Sequence, residues 1–369
     1  MSKLLLLILS GAVLLMLFVV FNPAKPPSTP FTAFSAPFVY GNFSLPIDNP
    51  LTVEGVELGR RLFYDPLLSG NNRVSCATCH QQHLAFTDGK AHSVGVSGIP
   101  LAFNSMTLAN AMWGPQHFFW DGRVSSLEEQ AILPILHPDE MDQDMDQLIA
   151  ELEAVPVYVR LFETAYGEIS ASSIGRALAS FERILISANS KYDQYLRGEL
   201  KLNATEELGR KLFMAHPDVK VNLRGGNCID CHSQFLTSGF KDKFDGFLNN
   251  GLDTEENLQP GLQSVTGQPS DRGKFKVPSL RNIALTSPYM HDGRFTTLEQ
   301  VLEHYNGQIK YSSTLSPLIV EANNEQHQGT LSLNLSEDEK VAIIAFLHTL
   351  TDHTFIKDPS ISDPFAEER

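Results

Sequence analysis

The sequence predicts a mainly α-helical protein made of two similar halves, on the strength of three observations. Residues 57–63, ELGRRLF, are repeated as ELGRKLF at residues 207–213. Runs that alternate apolar and polar residues, as half-buried strands do, are scarce. Between the halves, apolar residues recur at the spacing of one helix face: Ile174, Leu178, Phe181 and Leu185. We therefore expect helices in each half and a helix linking them.

The composition is that of a globular protein, and it excludes one class of partner. Hydrophobic residues make up 42% and charged residues 19% of the 369 residues, which excludes wholesale disorder. Lysine and arginine number 28 against 43 acidic residues, giving a formal net charge of −15. A chain this acidic repels phosphate backbones, and it contains no basic stripe. We therefore exclude nucleic acid as a partner.

One apolar segment, residues 4–21, is long enough to reach across a bilayer. It follows Lys3 and precedes a proline-rich stretch that cannot form a helix. No cleavage site of the Ala-x-Ala type follows, because the nearest candidate, Ala33 to Ala36, places Pro37 at the cleaved bond. We expect an uncleaved membrane anchor, and the alternative is a signal segment that is removed. In both interpretations, the rest of the chain is exported.

All four cysteines lie in two pentapeptides, CATCH at residues 76–80 and CIDCH at residues 228–232. Cys-x-x-Cys-His is the attachment signature of c-type haem, in which both thiols bond the porphyrin and the histidine binds the iron. A zinc ribbon needs pairs roughly 15–20 residues apart, and a redox dithiol needs no adjacent histidine. We therefore predict two covalent haems, attached at Cys76, Cys79, Cys228 and Cys231, with His80 and His232 as axial ligands.

Both halves contain a haem motif. We therefore predict a mainly α fold of two cytochrome c-like haem domains in tandem, which follow the N-terminal membrane anchor or signal segment. Each domain consists of a helix, a haem motif, a long loop, an Asp-Gly-Arg turn and a further helix. The expected divisions are an apolar export or anchor segment 1–21, a tether 22–50, a first domain 51–190, a second domain 191–355 and a tail 356–369.

Capping residues indicate where three of the helices begin. A serine or threonine followed three residues later by a glutamate forms a capping box. The sequence has this pattern at Ser126 and Thr296, after the two Asp-Gly-Arg turns, and at Ser336 before the last apolar stretch. We therefore expect helices to start at these three residues.

The helix after each Asp-Gly-Arg turn distinguishes the two halves chemically. Counted from Leu298, its apolar face in the second half ends on Tyr305, where the first half has Pro134. A phenol can bind iron and a proline cannot, so one haem would be closed by two protein ligands and the other left open. The alternatives are a tyrosine in the hydrophobic core and a proline that ends its helix.

Residues 51–350 resemble the bacterial di-haem cytochrome c peroxidases and their relative MauG, which matures methylamine dehydrogenase. The resemblance is more specific than two haem motifs alone, and it implies an enzyme that acts on hydrogen peroxide. The matching stretches are FFWDGR at 118–123, EEQA at 128–131, DEM at 139–141, VPSLRN at 277–282 and TSPY at 286–289.

The resemblance also implies roles for individual residues. His80 is then the proximal ligand of the peroxidatic haem, whose distal pocket contains Gln130 and Glu140, with Glu140 as the acid–base group. Trp120 is an electron relay between the haems. Without the resemblance, Gln130 would be interpreted as a surface amide, Glu140 as a carboxylate at a helix start and Trp120 as a core residue. The calcium ion that the family holds between its haems would bind the side-chain amide of one residue and two backbone carbonyls: Asn104, Thr286 and Pro288.

The first haem departs from many classical peroxidases at one position. Those enzymes close the resting haem with a distal histidine sixteen residues after the proximal one, where this chain has Val96. His83 and His92 lie nearby in the sequence without matching that position. We therefore expect the first haem to be open without prior activation.

Two departures concern the second haem and bear on function. The classical peroxidases use methionine where this chain, like MauG, has Tyr305, and Met290 is the competing ligand here. MauG oxidises its protein substrate through a surface tryptophan two residues before its second haem motif, and this chain has Gly226 there.

Three functions therefore stay open. We expect a di-haem peroxidase that reduces hydrogen peroxide to water with electrons relayed through the second haem from a small periplasmic cytochrome c or cupredoxin. The alternatives are a MauG-like enzyme that oxidises side chains of a partner protein, and a non-catalytic di-haem electron carrier. Pro134 and Val96 weigh against the carrier. The expected location is the periplasm, anchored to the inner membrane by residues 4–21 or soluble after cleavage.

Overall fold

The structure, a computed structural model, describes residues 28–32, 45–113, 117–217, 223–233, 246–322 and 331–366. This part of the chain is mainly helical, as predicted. The helices of the first half are α1 (Val53–Tyr64), α2 (Cys76–Cys79), α3 (Leu127–Leu136), α4 (Met145–Glu153), α5 (Pro156–Ala165) and α6 (Ala171–Arg183). Those of the second half are α7 (Lys191–Leu196), α8 (Ala204–Met214), α9 (Gln263–Thr266), α10 (Leu298–Glu303), α11 (Pro317–Ala322) and α12 (Glu337–His348).

Strand structure within the described ranges is limited to one short antiparallel pair and isolated bridges. The strands β1 (Phe247–Leu248) and β2 (Phe275–Lys276) pair with Phe247 opposite Lys276. A π-helical turn, His304–Gln308, continues α10. The scarcity of alternating patterns in the sequence therefore corresponds to the observed architecture.

Each half has a hydrophobic core built around its copy of the repeated segment. In the first half, α1 packs against α6, and the rings of Phe63 and Phe181 lie 5.1 Å apart between centroids. In the second half, α8 packs against α12, and the rings of Phe213 and Phe346 lie 5.3 Å apart. The sequence repeat therefore corresponds to a repeated helix pairing.

A glycine common to both copies of the repeat allows these helices to approach closely. A Cβ atom on Gly59 would lie 1.9 Å from the carbonyl oxygen of Ala177 in α6. A Cβ atom on Gly209 would lie 1.8 Å from the carbonyl oxygen of Ala342 in α12. No side chain fits at these separations, so both crossings require glycine.

The predicted linking helix is α6, which ends at Arg183, two residues before Leu185. It packs on α1 and α3 within the first core. Its predicted apolar face is completely buried there: Ile174, Leu178, Phe181 and Leu185.

Two of the three predicted helix starts are confirmed. The Ser126 hydroxyl accepts a hydrogen bond from the Glu129 amide at the start of α3, and Ser336 caps α12 in a capping box. The prediction for Thr296 is wrong by one residue, because Thr297 caps α10 and its box closes on Gln300. The Gln300 side-chain oxygen also accepts from the Thr296 amide, so the neighbouring threonine is held just outside the helix.

The C-terminal segment folds back onto the first core, which the sequence did not predict. Phe355 and Ile361 are buried in that core. The Tyr64 hydroxyl donates to the Ile361 carbonyl at 2.8 Å, and the Gln82 amide donates to the Phe355 carbonyl at 3.1 Å. The end of the chain therefore ties the first half to the second.

No helix in the described ranges combines the length and the apolar character needed to cross a membrane. The predicted anchor, residues 4–21, and residues 22–27 and 33–44 of the predicted tether lie outside the described residues.

Candidate functional site

A single cavity of about 930 Å³ extends from one Cys-x-x-Cys-His motif to the other. The four cysteines form no disulfide with one another. The cavity wall includes every residue predicted to attach a haem or bind its iron, together with the competing ligand Met290: Cys76, Cys79, His80, Cys228, Cys231, His232 and Tyr305.

Both motifs place the histidine one turn after the first cysteine. In the first motif, Ser75 caps α2 and its amide donates to the Thr78 hydroxyl, and the His80 amide donates to the Cys76 carbonyl at 2.9 Å. In the second motif, the His232 amide donates to the Cys228 carbonyl at 2.8 Å. These turns hold the two thiols and the imidazole of each motif along one part of the cavity wall.

The two predicted axial histidines have the hydrogen bonds that an iron ligand needs. Nδ1 of His80 lies 2.8 Å from the Phe86 carbonyl, and Nδ1 of His232 lies 3.1 Å from the Pro278 carbonyl. A carbonyl can only accept, so Nδ1 carries the proton and Nε2 keeps its lone pair for a metal. Burial lowers the pKa of both imidazoles, to about 4 for His232, which favours the neutral form that binds iron.

The wall near the first motif contains the polar side chains predicted for a distal pocket. Gln130 and Pro134 reach it from α3, and Glu140 from the loop that follows α3. The Gln130 Oε1 atom is buried without a hydrogen-bond partner among the described residues. Burial raises the pKa of Glu140 above its ordinary value. An unpaired amide oxygen and a carboxyl of raised pKa fit a pocket that receives a polar ligand.

Pro134 does not end its helix, because α3 continues to Leu136. The residue at the position of the closing histidine, and the two histidines near it in the sequence, do not line the cavity. Val96, His83 and His92 are absent from its described lining. Nδ1 of His92 lies 2.7 Å from the Leu101 carbonyl, and the Val96 amide donates to the Glu140 carbonyl at 2.8 Å. Val96 therefore supports the backbone of Glu140.

The wall near the second motif presents two candidate iron ligands joined by one amide. The Asn250 side-chain nitrogen lies 3.2 Å from the Tyr305 hydroxyl and 3.4 Å from the Met290 sulfur. Tyr305 lies in the π-helical turn after α10, where its phenol lines the cavity. Burial raises the pKa of this phenol to about 12, and the Asn250 hydrogen bond opposes that shift.

The predicted relay and calcium residues lie where the two halves meet. The Trp120 indole donates to the Asn104 carbonyl at 2.8 Å, and the Asn104 amide donates to the His291 carbonyl at 2.8 Å. The Asn104 side-chain nitrogen donates to the Lys90 carbonyl at 2.7 Å. Asn104, Thr286 and Pro288 all line the cavity. The described residues include no group of three or more His, Cys, Asp or Glu suited to a metal ion.

Residues of the cavity wall that the sequence analysis did not single out include His137, Glu182, Asn250 and Lys276. Glu182 is a buried carboxyl whose Oε2 atom has no hydrogen-bond partner among the described residues, and burial raises its pKa to about 8. It lies four residues after Leu178 on the apolar face of α6, and a carboxyl on such a face is a signal that could have identified it.

Comparison with known proteins agrees with this arrangement. A family model described as di-haem cytochrome c peroxidase matches residues 53–201. The methylamine utilization protein MauG of Methylorubrum extorquens is 38% identical over 309 residues, covering 83% of this chain and 80% of that protein. The chain belongs to the di-haem cytochrome c peroxidase family, which includes MauG.

Other members of the di-haem peroxidase family show similar coverage. The cytochrome c551 peroxidase of Nitrosomonas europaea is 34% identical over 307 residues, covering 82% of this chain and 81% of that protein. The crystal structure of a MauG-like protein associated with microbial copper homeostasis superimposes with a TM-score of 0.78 at 34% identity, covering 90% of this chain and 99% of that one. Membership of a di-haem family implies two c-type haems, and the two Cys-x-x-Cys-His motifs supply one attachment site each.

Proposed function

We propose that this di-haem oxidoreductase is a peroxidase that reduces hydrogen peroxide to water with electrons from an external donor. The observation that carries the proposal is the difference between the two haem sites. The first has Pro134 where the second has Tyr305, and the first also has Gln130 and Glu140 on its cavity wall. One site is thereby suited to bind peroxide and the other to transfer electrons.

When bound, the two haems supply the electron chemistry of the reaction. Reduction of one peroxide to two waters consumes two electrons and two protons, and the side chains of the cavity handle the protons. Glu140 is suited to take a proton from one peroxide oxygen and return it to the other, because its raised pKa brings it closer to neutral pH. The unpaired Oε1 atom of Gln130 is suited to accept a hydrogen bond from the peroxide beside it.

The junction of the halves contains an aromatic side chain suited to carry electrons. Trp120 is buried, and its indole is fixed by the hydrogen bond to the Asn104 carbonyl. Its ring lies 6.5 Å between centroids from that of His291 in the second half. We propose that Trp120 relays electrons between the two sites, and that the donor is a small periplasmic cytochrome c or a cupredoxin.

Steady-state consumption of hydrogen peroxide by the two-haem protein tests this function. The assay uses a reduced small cytochrome c and a reduced cupredoxin in separate series. We expect donor oxidation to follow peroxide with two electrons per molecule for at least one donor. Absence of turnover with every donor, while the protein still reacts with peroxide, would support the second function below.

The second candidate function is MauG-like oxidation of side chains in a partner protein. Tyr305 at the second haem supports it, as do the MauG relatives. Gly226 weighs against it, since the surface tryptophan of MauG is absent there. Peroxide-dependent oxidation of an added protein, without turnover of a small donor, would favour this function over the first.

We also propose a calcium ion between the haems and a periplasmic location. Asn104, Thr286 and Pro288 are the candidate calcium ligands, and all three face the same cavity. Metal analysis of the purified protein before and after chelation tests for the ion. The apolar segment 4–21 supports attachment to the inner membrane, with a soluble cleaved form as the alternative. Membrane fractionation combined with N-terminal sequencing distinguishes these two forms.

A further inference from the structure

Lys276 reaches from the second half of the chain into the junction between the two haem sites. It lies on β2, and its backbone amide donates to the Trp120 carbonyl at 2.9 Å. Its ammonium nitrogen donates to the His117 carbonyl at 2.7 Å and lies 4.9 Å from the centre of the Phe118 ring. The side chain lines the cavity that contains both haem motifs.

The ammonium of Lys276 has no carboxylate partner within 4.0 Å among the described residues, unlike Lys274 two positions earlier, which pairs with Asp271 at 3.0 Å. One carbonyl and one aromatic ring solvate it instead. Burial lowers the pKa of Lys276 to about 8. An ammonium withdrawn from water is costly without an opposite charge, so this cation is expected to have an anionic partner in the working protein.

We propose that Lys276 binds a propionate carboxylate of one of the two haems. A c-type haem is bonded to its motif through the former vinyl groups, so both of its propionates remain free carboxylates. Each haem that fills this cavity therefore brings two anions into it. Lys276 contacts the segment 117–120 of the first half and belongs to the second, so haem carboxylates from either site are candidates for its partner.

This contact would affect the reduction potential of the haem that it touches. A nearby positive charge favours the reduced haem, which carries one more electron than the oxidised haem, and the low dielectric of the cavity strengthens the effect. The contact depends on haem attachment and not on peroxidase activity. The test can therefore be made without peroxide, and its outcome is independent of the proposed function.

The test is a spectroelectrochemical titration of the full-length, two-haem protein at fixed pH, with the two haems resolved. We expect Lys276→Met to lower the midpoint potential of one haem, so that its ratio of reduced to oxidised form falls several-fold at the wild-type midpoint. Lys276→Arg keeps the charge and should retain most of the wild-type potential. Lys274→Met removes the ion-paired lysine nearby and should leave both potentials unchanged.

The haem whose potential shifts identifies the propionate, since the two haems differ in their axial ligands and spectra. If Lys276→Met fails to retain both haems, Lys276→Gln makes the same test, because its amide can still donate to the His117 carbonyl while lacking the charge. Unchanged potentials of both haems in a neutral variant that retains both haems would overturn the proposal. An equal shift in Lys276→Arg would also overturn it, because packing would then be the cause.

Discussion

The Glu140 Oε1 atom lies 4.0 Å from Nδ1 of His137, with the imidazole exposed to solvent and the carboxyl on the cavity wall. The His137 Nδ1 atom also accepts a hydrogen bond from the Asp139 amide at 3.2 Å. This places a titratable group at the surface beside the candidate acid–base residue. The charge of His137 opposes the rise in the pKa of Glu140 that burial causes, which makes both residues targets for mutation.

Replacing Glu140 should slow the reaction with peroxide and leave the rest of the protein intact. In Glu140→Gln we expect kcat/KM for peroxide to fall by roughly 10²–10⁴, the usual contribution of a positioned acid–base group. The measurement is stopped-flow reaction of the ferric protein with peroxide. The exposed Glu153→Gln serves as the control and should react at the wild-type rate. A wild-type rate in Glu140→Gln would show that another group handles the proton.

The pH dependence of the reaction with peroxide should report on the interaction between Glu140 and His137. The first proton transfer needs Glu140 ionised, so kcat/KM should rise with pH through its pKa, which burial raises above 4.5 and the charge of His137 lowers. His137→Asn removes the opposing charge, and we expect the rising limb to move to higher pH without a change in the plateau. An unmoved limb would exclude electrostatic coupling between the two residues.

Tyr305 and Met290 compete as ligands of the second haem, and the Asn250 amide contacts both. We expect Tyr305→Phe to change the ferric spectrum of the second haem while the first haem stays unchanged. Met290→Leu should have the smaller effect, since it leaves the phenol and its Asn250 hydrogen bond in place. The measurement is magnetic circular dichroism of the ferric protein. If Met290→Leu alters the ligand field and Tyr305→Phe does not, methionine is the ligand.

Buried Glu182 should make stability depend on pH. Its folded-state pKa of about 8 lies above the ordinary value of 4.5, so the folded protein holds a proton that the unfolded chain releases between these pH values. Its contribution to stability is therefore complete below pH 4.5 and declines as pH rises through 8. We expect Glu182→Gln to reduce the fall in Tm between pH 5 and pH 9, roughly the range over which the proton is released. An identical fall in both proteins would mean that the carboxyl is paired once the haems are present.

The sequence predicts the haem motifs well because their chemistry lies in five consecutive residues. Helices α1 and α8 were predictable because each contains one copy of the repeated segment, residues 57–63 and 207–213. The start of α10 was predicted one residue too early, because Thr296 and Thr297 can both cap a helix and the structure uses Thr297. Glu182 could have been identified from its place on the apolar face of α6, whereas the position of Lys276 on the cavity wall depends on how distant segments pack. Local patterns carry no information about that packing.

Low-temperature EPR spectroscopy of the fully ferric, two-haem protein tests most directly whether the first haem keeps an open position for peroxide. With Pro134 on the cavity wall and Val96 away from it, we predict one high-spin signal from the first haem and one low-spin signal from the second. Addition of peroxide without prior reduction should then remove the high-spin signal. Two low-spin signals in the resting protein, with no reaction until it is partly reduced, would contradict an open first haem.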